Sequence, residues 1–176
     1  MKKMMIMAVL LIGFSISAMA QNWGLGVNLG YGNDVSKPSF GIKALYDLNE
    51  SFTIAPSLNI YLPQTEEAHE SGLSVEAKLK CWDINADVHW NFYNENNCKL
   101  YPLAGITYFH VKAEAEASYG GYSGGASESE GKFGINLGFG GQMNLSDAWI
   151  ASAEIKYQII EEFKQFVPSL SLIYKF

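Results

Sequence analysis

The sequence predicts an all-β fold, an eight-stranded antiparallel up-and-down transmembrane β-barrel. Three observations carry that expectation. After residue 20, apolar residues recur at every second position through almost the whole chain, and no segment keeps a helical period. The alternating runs number eight, an even count, and their connections alternate between short and long. Aromatic residues gather near the ends of the runs rather than in their middles. Residues 82–92, WDINADVHWNF, show the alternation most clearly. Trp82, Ile84, Ala86, Val88, Trp90 and Phe92 share one face, and Asp83, Asn85, Asp87, His89 and Asn91 the other.

The elements follow in order. Residues 1–20 read as a secretory signal peptide: Lys2 and Lys3, an apolar run from Met4 to Ile16, then Ala18-Met19-Ala20 with the small-x-small form of a cleavage site. A membrane anchor is the other reading, but the run is short for a span. The barrel domain is then 21–176. The first strand covers about 23–32, the second 40–48 and the third 52–62. The fourth contains 82–92 and begins near Leu73. The fifth starts at Lys99, with Tyr101, Leu103, Gly105, Thr107, Phe109 and Val111 assigned to the apolar face. The sixth covers 132–145, the seventh 149–159 and the last 166–176. Short connections fall at 49–51, 94–98 and 146–148. The longer ones are 33–39, 63–72 and 113–131, the last rich in Gly and Ser.

Alternation alone does not say which face points inward. A soluble lipocalin-like barrel hides its apolar face, whereas a membrane barrel turns it to lipid. All four tryptophans belong to the apolar set. With strands running alternately up and down, Trp23, Trp90, Tyr101, Trp149 and Tyr174 fall near one rim. Trp82, Phe109 and Tyr157 fall near the other. Two aromatic girdles fit a bilayer with two interfaces, and short turns on one side fit the periplasmic end of an outer-membrane barrel. The eleven residues 82–92 match the ~9–11 that a tilted strand needs to cross.

At this point the chain resembles the small eight-stranded outer-membrane barrels, the group of OmpX-like and OmpA-transmembrane-like proteins. The signal peptide, GINLGFGGQMNL, AEIKYQI and the ending SLSLIYKF carry the resemblance. In the ending, Leu170, Leu172, Tyr174 and Phe176 look like the sorting signal read by the barrel assembly machinery of Gram-negative bacteria. The resemblance implies a monomer in the outer membrane, with lipid around its apolar face. The strand extensions at 73–81 and VKAEAEASY are similar to the protruding strands of OmpX-like proteins. They imply a sheet above the membrane that offers its edge to a surface protein partner, with a merely solvated extension as the other reading. A β-bulge near Cys81 is the competing account of residues 73–81.

The inward polar set is Lys43, Asp47, Asp83, Asp87, His89, Glu154, Lys156 and Lys175, nearly balanced in charge. An eight-stranded barrel has an interior only about wide enough for side chains, so these groups are expected to pair and fill the lumen. A narrow polar pore is the alternative.

Other chemistry is weakly supported. The chain has 12 basic residues, all lysines, against 18 acids, which argues against nucleic-acid binding. Cys81 and Cys98 sit at opposite ends of an extended segment and are expected to stay unpaired. No metal or cofactor motif stands out: the EEAHE cluster at 66–70 reads as a solvated acidic patch, and the glycine pairs at 120–121 and 124–125 lack the residues of a phosphate loop. His110 is a candidate general base for a lipid-modifying enzyme, but no serine lies at a telling spacing. The expectation is a non-enzymatic barrel with a structural or surface-interaction role. A small uptake channel and a lipid-modifying enzyme are the alternatives.

Overall fold

The structure, a computed structural model, describes residues 22–70, 73–119 and 122–176, with 64–70, 73–75, 116–119 and 122–124 described by backbone alone. The expected signal peptide lies outside the described residues. Among the described residues ten strands occur: β1 (Trp23–Gly32), β2 (Lys37–Asp47), β3 (Phe52–Tyr61), β4 (Gln64–Glu70), β5 (Leu73–Trp90), β6 (Tyr93–Glu95), β7 (Cys98–Tyr119), β8 (Tyr122–Asn144), β9 (Trp149–Ile160) and β10 (Lys164–Lys175). Neighbours pair antiparallel in the circle β1-β2-β3-β5-β7-β8-β9-β10, and β1 closes it against β10, with Gly24 opposite Lys175 and Gly30 opposite Ser169. Closure leaves the membrane band without an edge, so its backbone groups are paired within the protein. Among the described residues no helix is long and apolar enough to cross a membrane; the crossing elements are strands.

β4 and β6 are extensions of the circle rather than extra staves. β6 pairs with the start of β7 around Asn96 and Asn97, whose φ angles of 53° and 64° suit a tight hairpin turn. Asn49 accepts from the backbone N–H groups of Ser51 and Phe52, both at 2.9 Å, and closes the turn after β2. These turns lie at the end where the Phe176 N–H bonds the Trp23 carbonyl, so both described ends of the chain and the short turns share one rim.

The other rim differs from expectation in two places. Residues 63–72 and 113–131, read from composition as long connections, are largely strand. β4 pairs with residues 73–79 of β5, and β7 pairs with β8 without interruption from Cys98–Met143 to Tyr119–Tyr122. The glycines and serines of 118–129 favour a loop in isolation, but a continuous antiparallel partner overrides that preference. The register of β5 on β7 is also continuous through Cys81, which faces Val111, so β5 carries no bulge against β7. The irregularity lies in the neighbouring strand: Ile60 faces Trp82 and Gln64 faces Leu79, so residues 61–63 stand against only 80 and 81. Pro63, with no N–H to give a ladder, sits in that extra stretch.

β5, β7 and β8 are 18, 22 and 23 residues long, whereas β1, β2, β3, β9 and β10 have 10 to 12. Only ~9–11 residues are needed to span the hydrocarbon. The surplus of the three long strands, with β4, forms a four-stranded sheet that projects from the barrel.

A buried polar lumen and a projecting sheet

Burial settles which face is which. Outward side chains are apolar and accessible: Ile106 is 61% exposed, Leu170 64% and Phe133 67%. Inward ones are polar and covered: Asp83, Asn85, Asp87, His89, Asn136 and Gln158 are all buried. A soluble protein does the opposite, so the medium around the barrel is hydrocarbon.

Within the lumen a hydrogen-bonded chain runs around the wall. The Ser171 hydroxyl donates to Asn28 (2.7 Å), Asn28 to Asn59 (2.7 Å), and Asn59 to Asp83 (2.8 Å). Asp83 also accepts from the Tyr61 hydroxyl (2.7 Å) and Asn85 (2.6 Å). Asn85 accepts from Asn136 (2.9 Å) and Gln158 (3.0 Å), and Gln158 accepts from Gln165 (2.7 Å). Asp87 accepts from Asn136 (2.7 Å) and from Lys156 (3.1 Å). A second group lies nearer the short-turn rim. Lys43 donates to Glu154, which also accepts from the Tyr101 hydroxyl at 2.8 Å. His89 stacks flat on Tyr101, with centroids 4.1 Å apart and planes 5° apart. The arrangement gives each of Lys43, Asp83, Asp87, Glu154 and Lys156 a protein partner, the condition on which burying charge is tolerable.

Glycine makes the wall thin where these groups need room. A Cβ on Gly105 would stand 2.3 Å from Asp87 Oδ1, and one on Gly140 would stand 2.8 Å from the Tyr101 ring. Apolar layers flank the polar belt. Leu45, Ala55, Ile150 and Ile173 pack toward the short-turn rim, and Tyr61, Cys81, Phe109 and Ile160 toward the other.

Of the eight inward candidates, Lys43, Asp83, Asp87, His89, Glu154 and Lys156 are buried in the lumen. Asp47 lies at the short-turn rim, where it accepts from Thr53 (2.6 Å) and Lys99 (3.2 Å). Lys175 is half-buried at the same rim. Two girdle assignments are corrected. Tyr101 and Phe109 point into the lumen, 0% and 1% exposed, and the lipid face of β7 is Leu100, Ala104, Ile106 and Tyr108. In this strand both faces are apolar, so alternation gives no phase; register against β5, which sets Gly105 opposite Asp87, does. The same shift turns Lys99 inward to Asp47.

The remaining aromatics form two bands. Trp23 packs on Tyr46 (4.7 Å) and Trp149 on Tyr174 (5.3 Å) at the short-turn rim, where Trp90 is exposed. At the other rim Trp82 packs on Tyr108 (5.7 Å), Tyr108 on Phe133 (5.0 Å) and Tyr157 on Phe166 (4.7 Å). Leu170, Leu172, Tyr174 and Phe176 all face outward. His110 also faces outward and packs on Trp82, with ring centroids 5.0 Å apart and planes tilted by 31°. Cys81 is buried and Cys98 half-buried, both free and at opposite ends of the barrel. The side chains of Glu66–Glu70 and the glycine pair at 120–121 lie outside the described residues.

Sequence reasoning placed Asn85 on the polar face but missed the other neutral members of the lumen network, Asn28, Asn59, Asn136, Gln158 and Gln165. Each stands in the polar phase of its strand, so the same period-2 count that found the charges would have found them.

Above the outer band the chemistry of the faces changes. Lys80 and Lys112 both donate to Glu114 at 2.6 Å on the outer face of the projecting sheet. The opposite face is lined by Ala77, Leu79, Ala113, Ala115 and Ala126 along a groove of about 720 Å³. β8 pairs with β9 only from Gly134 onward, so residues 122–133 have a neighbour on one side alone; β4 likewise pairs only with β5. These are unpaired strand edges.

The fold and its inverted faces define a Gram-negative outer-membrane β-barrel. The chain belongs to the family described as outer membrane protein beta-barrel domain, whose model matches residues 6–176. Among solved structures it is similar to Ail, the attachment invasion locus protein of Yersinia pestis, at 22% identity and TM-score 0.54, covering 88% of this chain and 97% of that one. Ail is also solved in complex with the heparin analogue sucrose octasulfate (20%, TM-score 0.55, covering 88% and 97%). The N-terminal β-barrel domain of Pseudomonas aeruginosa OprF is similar at 15% identity and TM-score 0.59, covering 89% and 98%. Neisserial surface protein A is similar at 15% and 0.57, covering 88% and 96%. At these identities the likeness is one of fold. No curated protein sequence matches the chain.

Proposed function

We propose that this barrel acts at the cell surface rather than through its lumen, as a non-catalytic protein that presents its projecting sheet to a surface protein partner. The observation that carries the reading is the sheet β4-β5-β7-β8 itself, with the edge of β8 unpaired over residues 122–133. An unpaired edge is a template for one more strand. The buried pairs Lys43–Glu154 and Lys156–Asp87, with the apolar layers on either side, support a lumen closed by side chains.

The partner is not a polyanion. The segments beyond the outer aromatic band (32–39, 61–81, 109–132 and 158–165) contain eleven acids against six lysines and no arginine. A sulfated sugar such as the heparin analogue solved with Ail would meet net negative charge here. His110, packed against Trp82 and turned away from the lumen, favours the non-catalytic reading over lipid modification.

The test joins two measurements. Replacing residues 113–131 by a two-residue turn keeps the membrane band. The expected result is a barrel that still shows heat-modifiable gel migration but no longer supports adherence of expressing cells to an epithelial monolayer. Unchanged adherence would overturn the surface role. In planar bilayers the intact protein is expected to give no stable single-channel steps; regular steps would replace this reading with the small-channel one.

A further inference from the structure

We propose that the hollow at the outer mouth of the barrel binds a small organic cation carrying an aromatic or branched aliphatic body. The site does not depend on edge pairing by the projecting sheet. One wall is the inner face of β7 and β8, where Val111 stands opposite Glu130 and Ala113 opposite Glu128. The other wall is the β9–β10 turn, with Glu162 and Phe163. The hollow measures about 320 Å³, within the range of small-ligand sites.

Its floor is apolar. Phe109 meets Phe163 edge-on at 5.1 Å, and Tyr61, Cys81 and Ile160 pack beneath them. Its rim is acidic. Glu128, Glu130 and Glu162 face a single cation, Lys132, which bridges Glu162 and Glu130. That leaves Glu128 with no ion pair among the described residues, beside an apolar floor whose accessible part is Val111, Ala113 and the half-buried Phe163 ring.

The combination selects a ligand by two demands at once. Covering the floor favours an apolar body. The surplus of carboxylates favours a positive charge, and the half-buried Phe163 ring adds cation–π attraction. An anion is repelled by the rim, and a neutral molecule gains only the floor. A bare metal ion is not suited, since no group of three or more His, Cys, Asp or Glu side chains converges among the described residues.

The experiment uses the full-length barrel in phosphatidylcholine nanodiscs, whose neutral lipid does not concentrate amines by charge. Titration with 2-phenylethylammonium is followed by the backbone amide shifts of Val111, Ala113, Glu130 and Phe163. The expected result is a saturable single-site curve. The isosteric alcohol 2-phenylethanol should bind about tenfold more weakly, as should the amine to the variant E128Q/E130Q/E162Q, the loss of roughly one well-placed charge contact. Glu128→Gln alone, which leaves both Lys132 bridges intact, should show part of that loss. Heat-modifiable migration of each variant checks folding. Linear, non-saturating shifts, equal affinity for alcohol and amine, or undiminished affinity in the triple and single variants would each overturn the proposal.

Discussion

Strand β5 crosses from one medium to another at Trp82, and its two halves are instructive side by side. From Trp82 to Trp90 it turns Ile84, Val88 and Trp90 outward and buries Asp83, Asn85, Asp87 and His89. From Glu76 to Cys81 the same alternation continues in unbroken register, yet Lys78 and Lys80 now face outward and Leu79 and Cys81 inward. The backbone does not register the change; only the side chains do. Below the boundary the outside is hydrocarbon, where a lysine is costly. Above it the outside is water, where the same residue is cheap. The difference teaches that a charge has no fixed worth in this molecule. Buried in the lumen it is held by partners it cannot lose, and on the projecting sheet it is screened and replaceable.

Substitutions in the two regions should therefore differ in a graded way. The largest effect is expected for Glu154→Ala, which strands the buried Lys43 ammonium and the Tyr101 hydroxyl. Breaking a buried pair from one side costs about 3–5 kcal/mol, read as a lowered urea midpoint of the heat-modifiable band. A loss below about 1 kcal/mol would place that pair among solvated surface bridges instead. Next comes Ile106→Lys on the lipid face, expected to cost about 2–4 kcal/mol near the midplane. The matching Ser127→Lys on the projecting sheet should fall within about 0.5 kcal/mol; equal costs would erase the boundary drawn at Trp82. A cost between those two, about 1–3 kcal/mol, is expected for Gly105→Val, whose added atoms press on Asp87 and on the Ala86 carbonyl 2.4 Å from the new Cβ. Wild-type stability in that variant would show that the wall yields.

The smallest effect belongs to Glu114, outside the membrane. Hydrogen bonds from Lys112 and Lys80 hold its carboxyl down at about 2. Because the folded value lies below the ordinary carboxylate range, whatever support the cluster gives is fully present above that range. It is lost as pH falls through about 2. Carbon NMR of the Glu114 side chain should titrate there; a midpoint in the ordinary range would mean that the lysines are solvated away from it.

Much of this was legible in the sequence. Strict alternation in 82–92 gave β5 and its faces, and aromatics at run ends marked both interfaces. β7 was not legible in phase. Tyr101, Leu103 and Phe109 compete with Ile106 and Tyr108 for the same lipid-facing label, and only pairing with Asp87 and its neighbours decides. The lumen was read as uniformly polar because charges draw attention. Leu45, Ile150 and Ile173 stand in the inward phase too, and their apolar layer has no signature separate from that of the lipid face. The projecting hairpin was hard for a different reason: Gly and Ser content reports what a segment prefers alone, not what a continuous partner imposes.

The seam between the first and last strands has a consequence for assembly. Asn28 of β1 finds its partners on β3 and on Ser171 of β10. Until the two ends of the chain meet, that amide oxygen faces an open gap, and the wall beyond it remains an edge. Sealing the ring and satisfying its interior are thus one event. A chain halted before its final strand would lack a partner inside and a boundary outside together, which makes half-built forms poor stopping points.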